Sequence, residues 1–399
     1  MRRASSPDAA GVPVIEWRPA PAESLAPPRQ ALALLELALA ADPANPRLRV
    51  KLADLHLDRF DFSAALQVLE PVVHAEAGGG IAPRRAHCLN ATGRFGEAIE
   101  AAGAVPGPQH ERAVALLGLG RDSAAEAELR ALLAEEPGHR HACWRLARLL
   151  RKAGRDAELL EMCEDLAARG VRHAQLFSDW GAALALAGRV DEARALLFDS
   201  ARIAEMKLPV PGGFDDLAAF NRALTGELLA SPYPVSEFPP EEANRGSTRI
   251  HALFAGRRPE LVRALIETLQ ALIEAWAPSP GAWPDPWLEA RPRSAHLKAW
   301  GLVQRGGDYE EWHIHRGGWA SGVYYVQIPR EVAEAEDGRG AIEYGPPPSL
   351  AEAGLVPPRR FRPHEGRLLL APSHYAHRTI PPLTDEPRIS FAFDVVPCD

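Results

Sequence analysis

Four Gly-Arg pairs punctuate the first half of the chain: Gly93-Arg94, Gly120-Arg121, Gly154-Arg155 and Gly188-Arg189. The last two intervals are both 34 residues. Each pair lies between stretches whose apolar residues recur at helical spacing, such as A-E-A-E-L-R-A-L-L-A. Each is followed by a segment of the type F-G-E-A-I-E or V-D-E-A-R-A-L-L. Strand-like runs are nearly absent from Gln30 to about Ala204, and Pro43, Pro46 and Pro137 fall where helices should break. A helix–turn–helix unit cannot bury its apolar face alone, so a repeating unit must stack on its neighbours. The spacing predicts about five stacked units, one of them shortened by A-G-A-V-P-G-P.

The period of 34, the small Ala residues where helices would cross and the Gly in the turn resemble the tetratricopeptide repeat family. That resemblance implies an α-helical, right-handed solenoid over residues 29–205 with a concave groove. It also implies a protein or peptide partner bound in that groove, or else a scaffold that only caps or dimerises the C-terminal half of the chain. The hydrophobic stripes themselves are core. Residues 1–28, rich in Ala and Pro with little periodicity, read as a mostly disordered lead-in.

From Lys207 to about Pro240 the composition turns to Pro and Gly, marking a domain junction before a second domain over 206–399. A helix is expected from Phe214 to about Leu229. A second, Arg258 to Ala275, carries the stripe Leu261, Leu265, Leu269 and Leu272 and should pack on the outside of a sheet. W-A-P-S-P-G-A-W-P-D-P-W reads as an irregular, packed connection, with a lid as the other reading. From Ala295 onward short strands and turns predict a jelly-roll of two antiparallel sheets. The fold class is thus multidomain α + β.

Within that sheet region, Trp312 to Gln327 reads W-H-I-H-R-G-G-W-A-S-G-V-Y-Y-V-Q. Alternate residues of an extended segment point to one face, so His313 and His315 can reach one ion. His377, just beyond the apolar run from Leu368 to Ala371, is the best third ligand. Three ligands on one face leave open positions, as a catalytic metal requires. Ser321-Gly322 should let the backbone bend beside the site. His364 and His374 read as structural or surface residues, Trp312 and Trp319 as packing, and Glu343 as a rim residue.

The ordered set H-x-H, S-G-V-Y-Y-V, G-x-L-x-L-x-P-S-x-x-x-H and R-I-S-F-A-F resembles the bacterial and phage branch of the 2-oxoglutarate/Fe(II)-dependent oxygenases, and more distantly the prolyl hydroxylases. The resemblance covers roughly Leu208 to Asp399. It implies a double-stranded β-helix fold, Fe(II), 2-oxoglutarate and O2. By the same resemblance His313 and His377 match iron ligands, and Arg388 matches the residue that grips the far carboxylate of 2-oxoglutarate. A guanidinium suits that task because it binds a carboxylate through two hydrogen bonds. Ser390 shares a strand face with Arg388, and Tyr325 matches a tyrosine that contacts the cosubstrate. Tyr324 lies on the opposite face. His315 stands where the wider superfamily has an aspartate; H-x-H is normal in this branch, and water or Glu343 are the other candidates for that position.

A net charge of −8 argues against a generic nucleic-acid surface. The scattered cysteines Cys88, Cys143, Cys163 and Cys398 form no disulfide or zinc pattern and fit a reducing cytoplasm. No segment has the apolar length to span a bilayer. The reading is an oxygenase hydroxylating a protein or peptide side chain recruited by the repeats. Its rivals are a small-molecule hydroxylase, a three-histidine dioxygenase that ignores 2-oxoglutarate, and a repeat adaptor with a degenerate jelly-roll. The oligomeric state stays open.

Overall fold

The structure, a computed structural model, describes residues 14–20, 28–72, 80–103, 109–231, 234–236, 238–239, 242–251, 253–254, 259–276, 285–350 and 352–398. Its first half is helical: α1 (Pro28–Ala41), α2 (Pro46–Leu57), α3 (Phe62–Leu69), α4 (Ile81–Ala91), α5 (Phe95–Gly103), α6 (Gln109–Gly118), α7 (Asp122–Glu135), α8 (Arg140–Lys152), α9 (Asp156–Ala168), α10 (Ala174–Leu186) and α11 (Val190–Leu197).

The Gly-Arg pairs are helix stops. Gly93, Gly120, Gly154 and Gly188 have φ of 74°, 68°, 65° and 75°, the left-handed region that a Cβ disfavours. The following Arg amide then bonds back to the carbonyl of Leu89, Leu116, Leu150 or Leu184 at 2.8–2.9 Å, closing the last helical turn. Arg94, Arg155 and Arg189 pair with Glu97, Glu158 and Glu192 in the next helix's first turn. Arg155 and Arg189 also reach Glu126 and Glu164 of the preceding repeat. The pairs therefore end one helix, start the next and tie neighbouring repeats. Pro46 opens α2 behind the Asn45 cap, and Pro137 lies in the turn between α7 and α8. Residues 104–108, within the A-G-A-V-P-G-P run, lie outside the described residues.

The strands among the described residues are β1 (Glu16–Trp17), β2 (Ala204–Lys207), β3 (Pro234–Val235), β4 (Asn244–Arg245), β5 (Thr248–Ile250), β6 (Ser294–Gln304), β7 (Tyr309–Glu310), β8 (Ala320–Gln327), β9 (Ile342–Tyr344), β10 (Arg359–Phe361), β11 (Arg367–Pro372), β12 (His377–Thr379) and β13 (Arg388–Pro397). The main sheet runs β2-β11-β8-β13-β6-β5-β3, with β1 beside β6. Smaller sheets are β10-β9-β12 and β4-β7. This helical repeat region followed by a jelly-roll domain is the fold class expected.

Strand alternation sorts the main sheet into two faces. Tyr324, Val326, Leu368, Leu370, Phe391 and Phe393 point to one cluster, with α12 (Leu217–Leu229) and α13 (Glu260–Ala275) over them. Val323, Tyr325, Leu369 and Ala371 point the other way, toward Ile342, Tyr344 and Phe361 of the small sheet. On β13 the inward positions are Arg388, Ser390, Ala392 and Asp394, so polar groups face the cavity and apolar groups lie under the helices.

Several expectations shift. The lead-in is not wholly without structure: Glu16 and Trp17 pair in parallel with Ser294 and Ala295, while residues 1–13 and 21–27 lie outside the described residues. β2 belongs to the main sheet through β11, so the sheet begins slightly before position 206. α12 starts at Leu217 rather than Phe214 because the Asp216 carboxylate caps it, accepting from the Ala219 amide at 2.7 Å. The buried stripe of α13 is Val262, Leu265, Leu269 and Ile273, a slight rotation from the expected one. Ser321-Gly322 lies inside β8, which is continuous from Ala320 to Gln327. Gly322 is small because a Cβ there would come within 2.4 Å of the Phe393 ring and 2.9 Å of the Leu369 carbonyl. Trp276, Trp287 and Trp319 pack together, Trp287 stacked on Trp319 with centroids 4.9 Å apart, so these two ends of the tryptophan-rich segment are packed. Trp283 lies outside the described residues.

Candidate functional site

The open face of the main sheet borders a cavity of about 610 Å³. His313 and His377 face each other across an antiparallel bridge, each amide bonded to the other's carbonyl at 3.0 Å. The His315 amide is fixed by the Ser373 carbonyl at 3.0 Å. These backbone bonds bring the three imidazoles together, with ligand atoms all within 4.8 Å of one another.

Each ring's Nδ1 meets an oxygen that can only accept: the Glu311 carbonyl for His313 (2.6 Å), the Tyr375 carbonyl for His377 (3.1 Å) and the Asp394 carboxylate for His315 (2.5 Å). Nδ1 therefore carries a proton, and in the neutral ring Nε2 keeps a bare lone pair. As neutral rings, His315 and His377 set two Nε2 acceptors 3.2 Å apart. A bound cation resolves that contact, as does a second proton that makes one ring imidazolium. Burial, then the charge of neighbouring imidazoles, holds His377 well below its usual range, and burial with His315 holds His313 down to about 3. Neutral imidazoles are what a metal needs. The donor set fits a divalent transition metal such as Fe(II). The Asp394 contact restores, one bond further out, the negative charge that His315 does not supply.

Glu343 is turned away. It lies between the inward Ile342 and Tyr344 of β9, and its carboxylate pairs with Arg360 at 2.8 Å and Arg378 at 2.7 Å. It is not placed as a ligand, and it stands behind the cavity wall rather than on its rim.

Deeper along β13 lies Arg388, 1% exposed. It donates to Gln304 Oε1 (2.7 Å), to the Gly340 carbonyl (3.0 Å) and to Ser390 Oγ (3.4 Å), and it stacks over the Tyr325 ring at 5.2 Å. Among the described residues no carboxylate pairs with it; Glu310, whose charge reaches it, is held by Arg249 at 2.9 Å. The Tyr325 hydroxyl is buried without a hydrogen-bond partner, and burial pushes it up to about 12. A buried cation lacking an anion, next to an orphaned hydroxyl and Ser390, fits the carboxylate of a small acid. Tyr324, as expected, points away and donates to Asn221 Oδ1 at 2.6 Å.

His374 is buried among Phe177, Trp287 and Tyr375, and His364 is exposed, as the sequence suggested. Trp319 is packing. Trp312 instead lines the cavity, with Arg378 over its ring at 5.3 Å. Among the residues that sequence reasoning missed are Asp394 and Trp300 in the cavity wall, the latter stacked on His315 at 5.8 Å, and Gln304 behind Arg388. Asp394 carried a usable signal, since it falls on the Arg388-Ser390-Ala392 alternation. Gln304 and Trp300 carried none, because their inward direction depends on pairing with β13.

Comparison with known proteins gives two family matches. A family model described as "Putative 2OG-Fe(II) oxygenase" matches residues 298–394, and a tetratricopeptide repeat model matches residues 28–82. No curated protein matches. Among solved structures, a Pseudomonas putida prolyl-4-hydroxylase is 15% identical with a TM-score of 0.34, covering 53% of this chain and 99% of its own. A Trichoplax adhaerens prolyl hydroxylase, solved with a peptide fragment of hypoxia inducible factor, is 14% identical with a TM-score of 0.35, covering 53% and 90%. A tetratricopeptide repeat protein from Parabacteroides merdae is 15% identical with a TM-score of 0.33, covering 43% and 73%. The family implies Fe(II), 2-oxoglutarate and O2, and the chain carries a 2-oxoglutarate/Fe(II)-dependent oxygenase domain preceded by tetratricopeptide repeats.

Proposed function

We propose that this dioxygenase hydroxylates a protein or peptide side chain delivered along the concave groove of its own repeats. One observation carries the reading. The groove, a cavity of about 1010 Å³, and the histidine-lined cavity share the wall residues His141, Glu242 and Arg316. The two cavities therefore adjoin, and a chain lying on the repeats comes next to the cavity that holds the three imidazoles.

In this reading His313, His315 and His377 hold Fe(II) through Nε2. Arg388, Ser390 and Tyr325 receive the far carboxylate of 2-oxoglutarate. When bound, Fe(II) with 2-oxoglutarate and O2 supplies the oxidising power for C–H hydroxylation, with succinate and CO2 released. The chain's own groups prepare the site. Carbonyls of Glu311 and Tyr375 and the Asp394 carboxylate fix the imidazole tautomers. Gln304 holds Arg388 in place from the neighbouring strand. We place the domain junction between α11 and β2, and the protein in the cytoplasm, where its cysteines remain free thiols. Among the described residues no helix is long and apolar enough to cross a membrane.

The test is anaerobic titration with Fe(II) and then 2-oxoglutarate, watching the weak visible band of a keto acid chelated to ferrous iron. The band should form, and should weaken in Arg388→Ala at low cosubstrate. Succinate release should then rise when a bound peptide is added. Iron binding without the band would favour the cosubstrate-independent dioxygenase. A band with succinate release stimulated only by small molecules would remove the peptide substrate.

A further inference from the structure

The walls of the two adjoining cavities depart from the charge of the rest of the chain. The protein carries −8, yet basic side chains outnumber acidic ones along the groove and the iron cavity. The acidic residues there are already engaged. Glu111 meets His87 and His110, Asp122 meets Lys152, Glu242 and Glu310 meet Arg249, Glu311 meets Arg245, and Asp394 meets His315. In contrast, Arg148 in the groove and Arg140 and Lys298 at the iron cavity are exposed and form no ion pair among the described residues. Arg140 has only a 3.5 Å bond to the Arg316 carbonyl. Between them lies Trp144, with the Arg145 and Arg316 guanidinium groups 4.9 and 4.0 Å from its ring.

We infer that the two adjoining cavities bind an extended acidic peptide segment, whose carboxylates meet Arg148, Arg140 and Lys298. The inference rests on the reading of the repeats as the substrate recruiter, and it names the substrate class. Acidic residues flanking the hydroxylated side chain then set specificity, because Arg148, Arg140 and Lys298 are exposed lining cations that form no ion pair among the described residues. A basic segment would place its charges against carboxylates that are already paired.

Binding to the full-length, Fe(II)-loaded protein under anaerobic conditions tests this. The probes are a fluorescently labelled Glu/Ala peptide, its Lys/Ala counterpart of equal length, and a labelled oligothymidylate, each followed by anisotropy. The Glu/Ala peptide should bind at least about tenfold more tightly than the Lys/Ala peptide, and more tightly than the oligothymidylate. Arg148→Glu and Lys298→Glu should each weaken it by roughly three- to tenfold, while Arg330→Glu, outside both cavities, should leave it unchanged. Equal binding of the two peptides, tighter binding of the oligothymidylate, or charge reversals without effect would overturn the inference. The peptide comparison on the unmutated protein needs no variant to fold. The visible band, recorded on the same sample, reports the oxygenase separately. A band without an acidic preference removes only this inference, and loss of the band removes the oxygenase reading instead.

Discussion

Asp394 is the residue on which the proposed metal site turns. Its carboxylate fixes the His315 tautomer and makes the ring a stronger donor. Asp394→Asn keeps the shape but weakens the hydrogen bond. Fe(II) affinity should fall about 10- to 100-fold, read by metal titration. Arg388→Lys keeps the charge but loses the two-pronged grip. The KM for 2-oxoglutarate should rise by about tenfold or more while Fe(II) affinity holds. The histidines, Arg388, Ser390 and Tyr325 were legible because they fall in ordered motifs with side-chain direction set by alternation. Asp394 was legible in principle, but D-V-V at a strand end attracts no attention without knowing what stands opposite. The orphaned state of the Tyr325 hydroxyl was not legible, since it depends on what the neighbouring strand withholds.

At the scale of elements, the Gly-Arg turns are strong local signals, and they located the helices well. Gly154 has φ 65° and open space around it, so the cost of a side chain is purely conformational. Gly154→Ala should destabilise the protein by about 1 kcal/mol in denaturant melts, with no change in metal binding. Within α10, Asp179 is buried and accepts from Gln175 Nε2 at 2.8 Å. Burial pushes its carboxyl from 3.8 up to about 7, against the pull of Gln175 and Arg151. Between those two values the folded state keeps a proton that the unfolded chain releases, so stability falls as pH rises through this window and levels off above it. Asp179→Asn should raise the melting temperature, more at pH 8 than at pH 5. The short strands were beyond sequence reading. β3, β4, β7, β10 and β12 have two or three residues each, and their pairing partners lie elsewhere in the sequence. Periodicity has nothing to register over such lengths.

Taken whole, the molecule is not a solenoid joined to a domain by a linker. Ala182, Leu184, Ala193, Leu196 and Leu197 of the last repeat share one core with Phe220, Leu265, Tyr324 and Phe391. The Arg194 guanidinium bonds the Gly354 carbonyl, and the Asp199 amide bonds the Tyr375 hydroxyl, both at 3.0 Å. Removing residues 1–205 should therefore expose apolar surface and lose stability, whereas removing residues 1–170, which keeps α10 and α11, should lose much less. Hydrogen exchange should agree, with α10 and α11 as protected as β8 and β13, and α2 to α5 opening at lower free energy. The sequence marked where repeats stop and Pro-rich chain begins, but composition cannot show that two regions share a core.

At the other end, the parallel pairing of Glu16 and Trp17 with β6 returns the start of the chain to the sheet that carries Gln304 and Trp300. The repeats are thus anchored at both ends, as an arch is, where an ordinary array would be a cantilever. A cantilever swings freely at its tip; an arch answers load by changing its span, and here the load would be the peptide itself.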